Sequence, residues 1–258
     1  MKELRKLKYF LGIEVAYFKQ DIFISQRKYV LDLLKETGKL GCKTSGVPIE
    51  YNHRIGCEES PTIEKSQYQI LVRKLIYLSH IRPDIGYVVS VASLRKGLLF
   101  RKEGTLSMEI YTNGDYAGSI VDRKSTSGYC IFLGGNLVTW RSKNVEAKFQ
   151  AMAHDIYEGL WMKMVLDDLK VKYEGPIKFF CDNNSAISIA HNPVQHNRTK
   201  HIEIDKHFIK KKLNNGLVVI THVSIGLQVA DIFTKGLLAA RFQELNVKLG
   251  MNDIHLPT

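Results

Sequence analysis

Three aspartates stand at the ends of predicted strands or at the start of a predicted helix. Asp115 follows SMEIYTNG, Asp182 follows IKFFC, and Asp231 lies within LQVADIF. Acids at neighbouring strand ends can converge, and a carboxylate cluster of this kind holds Mg²⁺, which prefers oxygen ligands. Such ions can activate water for phosphodiester cleavage. Each acid alone is better explained as a cap or a solvated element end, so only the set predicts a magnesium site.

The charge of the chain points to a polyanionic partner. The formal net charge is +11 and the pI is about 9.4, and a basic chain gains affinity for nucleic acid by releasing counterions from phosphates. The residues that we predict to follow a nucleic-acid backbone are Arg123, Lys124, Lys200, Lys206, Lys210 and Lys211. The alternative is that these side chains only solvate a helix.

The elements that must position these residues fall into two halves. In the first, two strands form a hairpin, LKYFLGIEV and DIFISQ, and three helices follow, RKYVLDLLKETG, SQYQILVRKLIYLSH and RPDIGYVVSVAS. We expect a long loop over residues 41–66 and a basic junction, RKGLLFRKEGT, at the domain boundary. The second half alternates in the order β-β-α-β-α-α-β-α, with LQVADIFTKGL as its last helix, which predicts α/β layers around a mixed sheet.

The lengths of the apolar runs and the spacing of the cysteines indicate which classes of protein are expected. No apolar run reaches transmembrane length and no signal peptide is visible, so we expect no membrane partner. The four cysteines are scattered with no CxxC pair, which favours a reducing, intracellular compartment, cytoplasmic or nuclear, and disfavours a zinc module.

Several longer motifs resemble the Pol polyprotein of copia-type retrotransposons of the kind abundant in plants. The second half carries DRKSTSGY, CDNNSAI and ADIFTK, and the first half carries LKYFLGIEV and YQILVRKLIYLSHIRPDIGYVVSVAS. The resemblance implies two domains: a small α+β remnant of the reverse transcriptase C-terminal end (thumb or connection-like) over residues 1–104, and a ribonuclease H-like domain over residues 105–258. It implies Mg²⁺-dependent cleavage of the RNA strand of an RNA–DNA hybrid, with no small-molecule cofactor.

The family's active site takes four acids, and this chain departs from two of them. The last two acids correspond to Asp182 and Asp231, but the first falls on Asn113 and the second on Lys148. Asparagine offers a neutral carbonyl where a carboxylate balances the ion, and lysine brings an ammonium group. Asp115 lies two residues after Asn113, so an extended strand points both to one face, and Asp115 is the possible substitute.

The chain is also shorter than the family pattern. One short strand before the first long helix is missing by comparison, so we expect the ribonuclease H-like sheet to lack an edge strand, and the polymerase palm is absent. We therefore expect a degenerate ribonuclease H-like fragment whose activity is impaired or lost. The alternatives are a non-catalytic nucleic-acid-binding remnant, a residual nuclease that uses Asp115, Asp182 and Asp231 as Mg²⁺ ligands, and an unselected product that does not fold.

Overall fold

A computed structural model describes residues 8–42, 65–79, 82, 96–102, 105–115, 125–145, 148–191 and 200–253. The chain divides by its contacts into two units, Met1–Lys102 with Gly236–Thr258, and Glu103–Lys235. The division at residue 102 is close to the boundary expected from the sequence at residue 104. The prediction does not hold for the last 23 residues, which belong to the first unit, although the sequence placed them with the ribonuclease H-like domain.

The first unit is built on a five-stranded antiparallel sheet. Its strand order is β1-β2-β3-β4-β10, with β1 Tyr9–Phe10, β2 Ile13–Tyr17, β3 Asp21–Ser25, β4 Lys96–Arg101 and β10 Met251–Asp253. The predicted hairpin is present as β2 and β3. The pairing of β10 with β4 explains why the C-terminal segment joins this unit.

The predicted basic junction at residues 95–105 is wrong for its first part, because residues 96–101 form strand β4. Its apolar centre, with Leu98 buried, pairs with β3 on one side and with β10 on the other. The described residues of this unit form three helices: α1 Arg27–Glu36, α2 Lys65–Ser79 and α6 Ala239–Lys248. Helix α6 and strand β10 were not predicted. The predicted helix at 82–93 and most of the predicted 41–66 loop lie outside the described residues.

The second unit is a mixed sheet flanked by helices, as predicted. Its strand order is β7-β6-β5-β8-β9, with β5 Met108–Asp115, β6 Ser125–Leu133, β7 Asn136–Val145, β8 Ile177–Cys181 and β9 Val218–His222. Strands β5, β6 and β7 are antiparallel, whereas β8 and β9 run parallel to β5. Gly134 and Gly135 turn the β6–β7 hairpin, both at positive φ, which such a two-residue turn requires.

Helices cover this sheet through a continuous apolar core. They are α3 Lys148–Asp168, α4 Asn184–His191 and α5 Lys200–Asn214. Met152 and Ile156 of α3 are buried against Ile110 of β5 and Phe179 of β8 in one cluster. The central strand β5 is thus held between the hairpin on one side and β8 on the other, with α3 packed against it.

Two local predictions need correction. We expected the sheet to lack an edge strand, but β7 forms this edge and pairs with β6 through to Val145. We also expected LQVADIFTKGL to be a helix, but it contains only the short 3-10 helix Val229–Phe233, which follows another at Ile225–Leu227. The Gln228 side chain accepts from the amide of Ala230 and donates to the carbonyl of Thr112, which fixes the chain there in a cap conformation.

Candidate functional site

Asn113 lies in the middle of the site that the sequence predicted. It is paired with Gly128 on the central strand β5, and only 3% of its surface is exposed. Its Nδ2 donates to Oδ1 of Asp231 at 2.6 Å and to Oγ1 of Thr234 at 3.0 Å. Both hydrogens of the amide are therefore directed at the 3-10 helix Val229–Phe233 and the residue that follows it, so Asn113 is not a turn residue.

Asp231 is the acid that accepts from Asn113, and it is 4% exposed. Its Oδ1 also lies 2.8 Å from Nζ of Lys235, one turn further along the chain. A buried carboxylate is stabilised only when it is paired and hydrogen-bonded. Here the Asn113 amide and the Lys235 ammonium group, both from this chain, supply that pairing.

Asp182 approaches the same place from the end of β8. It is half-buried and lines a small cavity of about 10 Å³ together with Asn113 and with Ala151 and Met152 of the first turns of α3. The structure therefore places Asn113 beside both Asp182 and Asp231 at one edge of the sheet. The positions at element ends predicted convergence of Asp115, Asp182 and Asp231, and only the family resemblance pointed to Asn113. This volume is close to the minimum that holds a single water molecule, about 10–15 Å³.

The residues at this edge do not fit a divalent metal ion. Mg²⁺ needs oxygen ligands at about 2.0–2.1 Å and usually keeps several waters, but the donor hydrogens of Asn113 and the ammonium of Lys235 already occupy Oδ1 of Asp231. Within the described part of the chain, no group of three or more His, Cys, Asp or Glu side chains could hold a metal ion. The predicted ligand set is therefore not assembled among the described side chains.

The two remaining site positions are described through their backbone. Asp115 is the last residue of β5, and its backbone is paired with Thr126. Lys148 is the first residue of α3. Their side chains lie outside the described residues, so the suggestion that Asp115 substitutes for Asn113 stays a prediction.

The predicted nucleic-acid contacts are only partly within the described chain. Arg123 and Lys124 lie outside it, and Lys200 is described only as the first residue of α5. Lys206, Lys210 and Lys211 all lie on α5, where Lys211 is exposed and the other two are half-buried. They are thus placed on one helix, as the sequence predicted.

Sequence reasoning missed a second buried acid beside the site. Asp155 on α3 is 3% exposed and accepts a hydrogen bond from Oγ1 of Thr112, the residue before Asn113. Burial raises the pKa of Asp155 to about 7, with a smaller lowering by the Thr112 hydroxyl. The available signal was position: an acid between Met152 and Ile156 on a long amphipathic helix falls close to its apolar stripe.

The curated relatives of this chain include plant retrotransposon polyproteins. The chain is 32% identical to the retrovirus-related Pol polyprotein from transposon RE2 of Arabidopsis thaliana, over 97% of this chain and 20% of that protein. It is 31% identical to the RE1 counterpart, also over 20% of that protein, and 26% identical to that of transposon TNT 1-94 of Nicotiana tabacum. The chain thus spans about a fifth of these relatives, and no family model matches it.

Solved ribonucleases H are among the similar structures. RNase H1 from Halobacterium salinarum is 14% identical with a TM-score of 0.36, covering 50% of this chain and 94% of that one. LC11-RNase H1, solved in complex with an RNA/DNA hybrid, gives 14% identity, the same coverage of both chains and a TM-score of 0.37. These scores are low, so the fold assignment rests on the strand order and on the sequence relatives. No helix in the described ranges is both long and apolar enough to cross a membrane.

Proposed function

We propose that this chain, a homologue of one segment of copia-type retrovirus-related Pol polyproteins, is a retrotransposon-derived, ribonuclease H-like remnant that has lost hybrid cleavage. The observation that carries the proposal is the hydrogen bond from the Asn113 amide to Asp231. Where the family places two acids that share a metal ion, this chain has an amide and an acid that bind each other.

The chemistry of the two side chains supports this reading. Two facing carboxylates repel each other and need a cation between them, whereas an amide donates its own hydrogens and satisfies the acid without a cation. Lys235 adds a positive charge to the same oxygen. A divalent ion that bound Oδ1 of Asp231 would have to displace both donors, so the intramolecular arrangement is favoured.

The direct test is cleavage of an RNA–DNA hybrid labelled on its RNA strand, with Mg²⁺ and with a chelator. We expect the natural chain to cleave no faster than its Asp182→Asn variant. We expect Asn113→Asp/Lys148→Glu, which restores both family acids, to gain Mg²⁺-dependent cleavage. The Asn113→Gln/Lys148→Gln variant is the matched control, because it changes the same positions without adding an acid.

Either of two results would overturn the proposal. Cleavage by the natural chain that Asp182→Asn abolishes would show that the site works as it stands, with Asp115 as the replacement ligand. A folded Asn113→Asp/Lys148→Glu variant without any cleavage would show that the loss lies in the shortened sequence around the site and not in the two acids.

A second candidate function is nucleic-acid binding without catalysis, and the position of three lysines on one helix favours it. Lys206, Lys210 and Lys211 lie on α5 of a chain with net charge +11. The affinity for an RNA–DNA hybrid should fall steeply with salt, and Lys210→Gln/Lys211→Gln should lower the slope of that dependence by about two contacts. Lys35→Gln/Lys39→Gln, an equal charge change at exposed lysines of the other unit, should leave the slope nearly unchanged; equal effects would contradict this function.

A further inference from the structure

Helices α3 and α5 leave an open groove of about 940 Å³ between them. This volume lies within the range of ligand-binding clefts, about 300–1,000 Å³. The two helices meet at its floor, where the rings of Tyr157 and Phe208 stack with centroids 3.9 Å apart and planes inclined by 16°. The residues of the candidate site at β5 do not line this groove, so the groove is a separate surface.

The α3 wall of the groove presents large apolar side chains to solvent. Tyr157 is 50% exposed, Trp161 57% and Met164 65%. Their spacing of four and three residues places them on one stripe of the helix, separate from the buried stripe that includes Met152 and Ile156. The core of the unit does not use this stripe, and a contiguous exposed apolar patch marks a surface for binding.

Lysines border the aromatic surface. Lys212 lines the groove with its Nζ 5.5 Å from the Phe208 ring, and Lys163 lines it from α3. Glu158 and Asp167 also line it, so the lining itself carries as many acids as lysines. The excess of positive charge lies along α5 at the border of the groove, where residues 205–212 carry four lysines against one acid.

We propose that this groove binds unpaired bases of a single-stranded nucleic acid. Trp161 and Tyr157 would stack on successive bases, and Lys163 and Lys212 would contact the phosphates on either side. Stacking on exposed aromatic rings within a basic groove is how proteins hold single strands without reading sequence. A duplex does not fit this surface, because its bases are already stacked on one another.

The experiment uses the two tryptophans of the chain, Trp140 and Trp161. In a Trp140→Phe background, Trp161 is the only tryptophan reporter, and a stacked base quenches its fluorescence. We expect an oligothymidylate of about 15 nucleotides to quench it and an abasic oligomer of equal length to quench it far less. Tyr157→Ala should weaken this binding about tenfold, whereas Leu169→Ala, at an exposed position outside the groove, should not.

In the natural background, Trp161→Ala should weaken binding of a dye-labelled oligothymidylate, measured by anisotropy, also about tenfold. Equal affinity for the abasic oligomer would overturn the proposal, because binding would then be electrostatic only. Self-association that Trp161→Ala removes, without oligonucleotide binding, would overturn it as well and assign the face to a second copy of the chain. These readouts involve neither Mg²⁺ nor hybrid cleavage, so they separate this inference from the proposed loss of catalysis.

Discussion

The two faces of strand β5 each bury one aspartate, and the two are stabilised in different ways. On one face Asp231 accepts from the Asn113 amide and pairs with the Lys235 ammonium. On the other face Asp155 accepts from the neutral hydroxyl of Thr112. Thr112 and Asn113 are neighbours, and successive strand residues point to opposite faces, so adjacent positions produce two different electrostatic environments.

Asp231 belongs to a hydrogen-bonded network with Asn113 and Lys235, whereas Asp155 is a titrating group. Asp231 has a cationic partner in place, whereas burial raises the pKa of Asp155 to about 7. A carboxyl group without a cation avoids the cost of burying its charge by keeping its proton. The Asn113 face thus carries an acid that is paired within the chain, which is the basis of the proposed loss of metal binding, and the opposite face carries the proton equilibrium.

The largest loss of stability should come from replacing Asp231, the acid that pairs with Asn113 and Lys235. Asp231→Ala removes one of the two acceptors of the buried Asn113 amide and the charge partner of Lys235, and should lower the free energy of unfolding by about 3 kcal/mol. Asp182→Ala, at a half-buried acid on the same edge, should cost less than about 1 kcal/mol. Chemical denaturation of both variants checks this, and equal losses would contradict the role given to the Asn113–Asp231 pair.

Titration of Asp155 should make the free energy of unfolding depend on pH. The folded pKa of Asp155, about 7, lies above its ordinary value of 3.8, so the folded chain holds the proton more tightly than the unfolded chain. The stabilisation is complete below the unfolded pKa and is lost as pH rises through the folded pKa. Between about pH 5 and pH 8 the loss is about 2–3 kcal/mol.

Asp155→Asn removes this proton equilibrium and supplies the comparison. Its free energy of unfolding, measured in denaturant across the same pH range, should vary by about 2–3 kcal/mol less than that of the natural chain. Parallel pH profiles for the two proteins would show that Asp155 is already ionised in the folded state, and the contrast between the two faces would fail.

Gly128 and Gly159 allow a steric comparison of the two faces of strand β5. A Cβ at Gly128 would lie 2.5 Å from Cβ of Phe233, which the 3-10 helix holds in place, whereas a Cβ at Gly159 would meet the terminal methyl of Ile110. Gly128→Ala should therefore cost about 2–3 kcal/mol and Gly159→Ala about 1–2 kcal/mol. The melting temperatures of the two variants decide the order, and a larger loss for Gly159→Ala would contradict it.

The smallest effect should come from Thr112→Val, which removes the hydroxyl that donates to Asp155. The loss is about 1 kcal/mol. Because that hydroxyl lowers the pKa of Asp155, its removal should also shift the pH-dependent transition upward. A downward shift, measured in the same denaturation series, would contradict the assigned hydrogen bond.

The sequence predicted the parts of this fold that depend on local pattern. The apolar spacing of its residues predicted α3, the local pattern also indicated α5, β5 with Asn113 and the strand β8 that Asp182 follows, and motif resemblance assigned Asn113, Asp182 and Asp231 to one site. The segment around Asp231 was predicted as a helix, but the Gln228 side chain competes for the backbone amides there. Strand β4 was missed because its short apolar centre is flanked by basic residues.

The partners of the buried acids could not be read from the sequence. Asn113 and Asp231 are separated by 118 positions, and whether the amide faces the acid depends on the packing of the 3-10 helix against β5. Asp155 was missed for a related reason: an acid on a long helix is solvated in most cases, and only the contact with Thr112, 43 positions away, shows that it is buried.

The most direct measurement of the central claim is the effect of Mg²⁺ on the stability of the natural chain and of Asn113→Asp. In the variant two buried carboxylates face each other, so it should melt lower than the natural chain in chelator and regain stability with millimolar Mg²⁺. The natural chain, whose Asp231 is already paired with Asn113, should melt at the same temperature with and without Mg²⁺. Equal stabilisation of both proteins by Mg²⁺ would contradict the claim that Asn113 closes this site to metal.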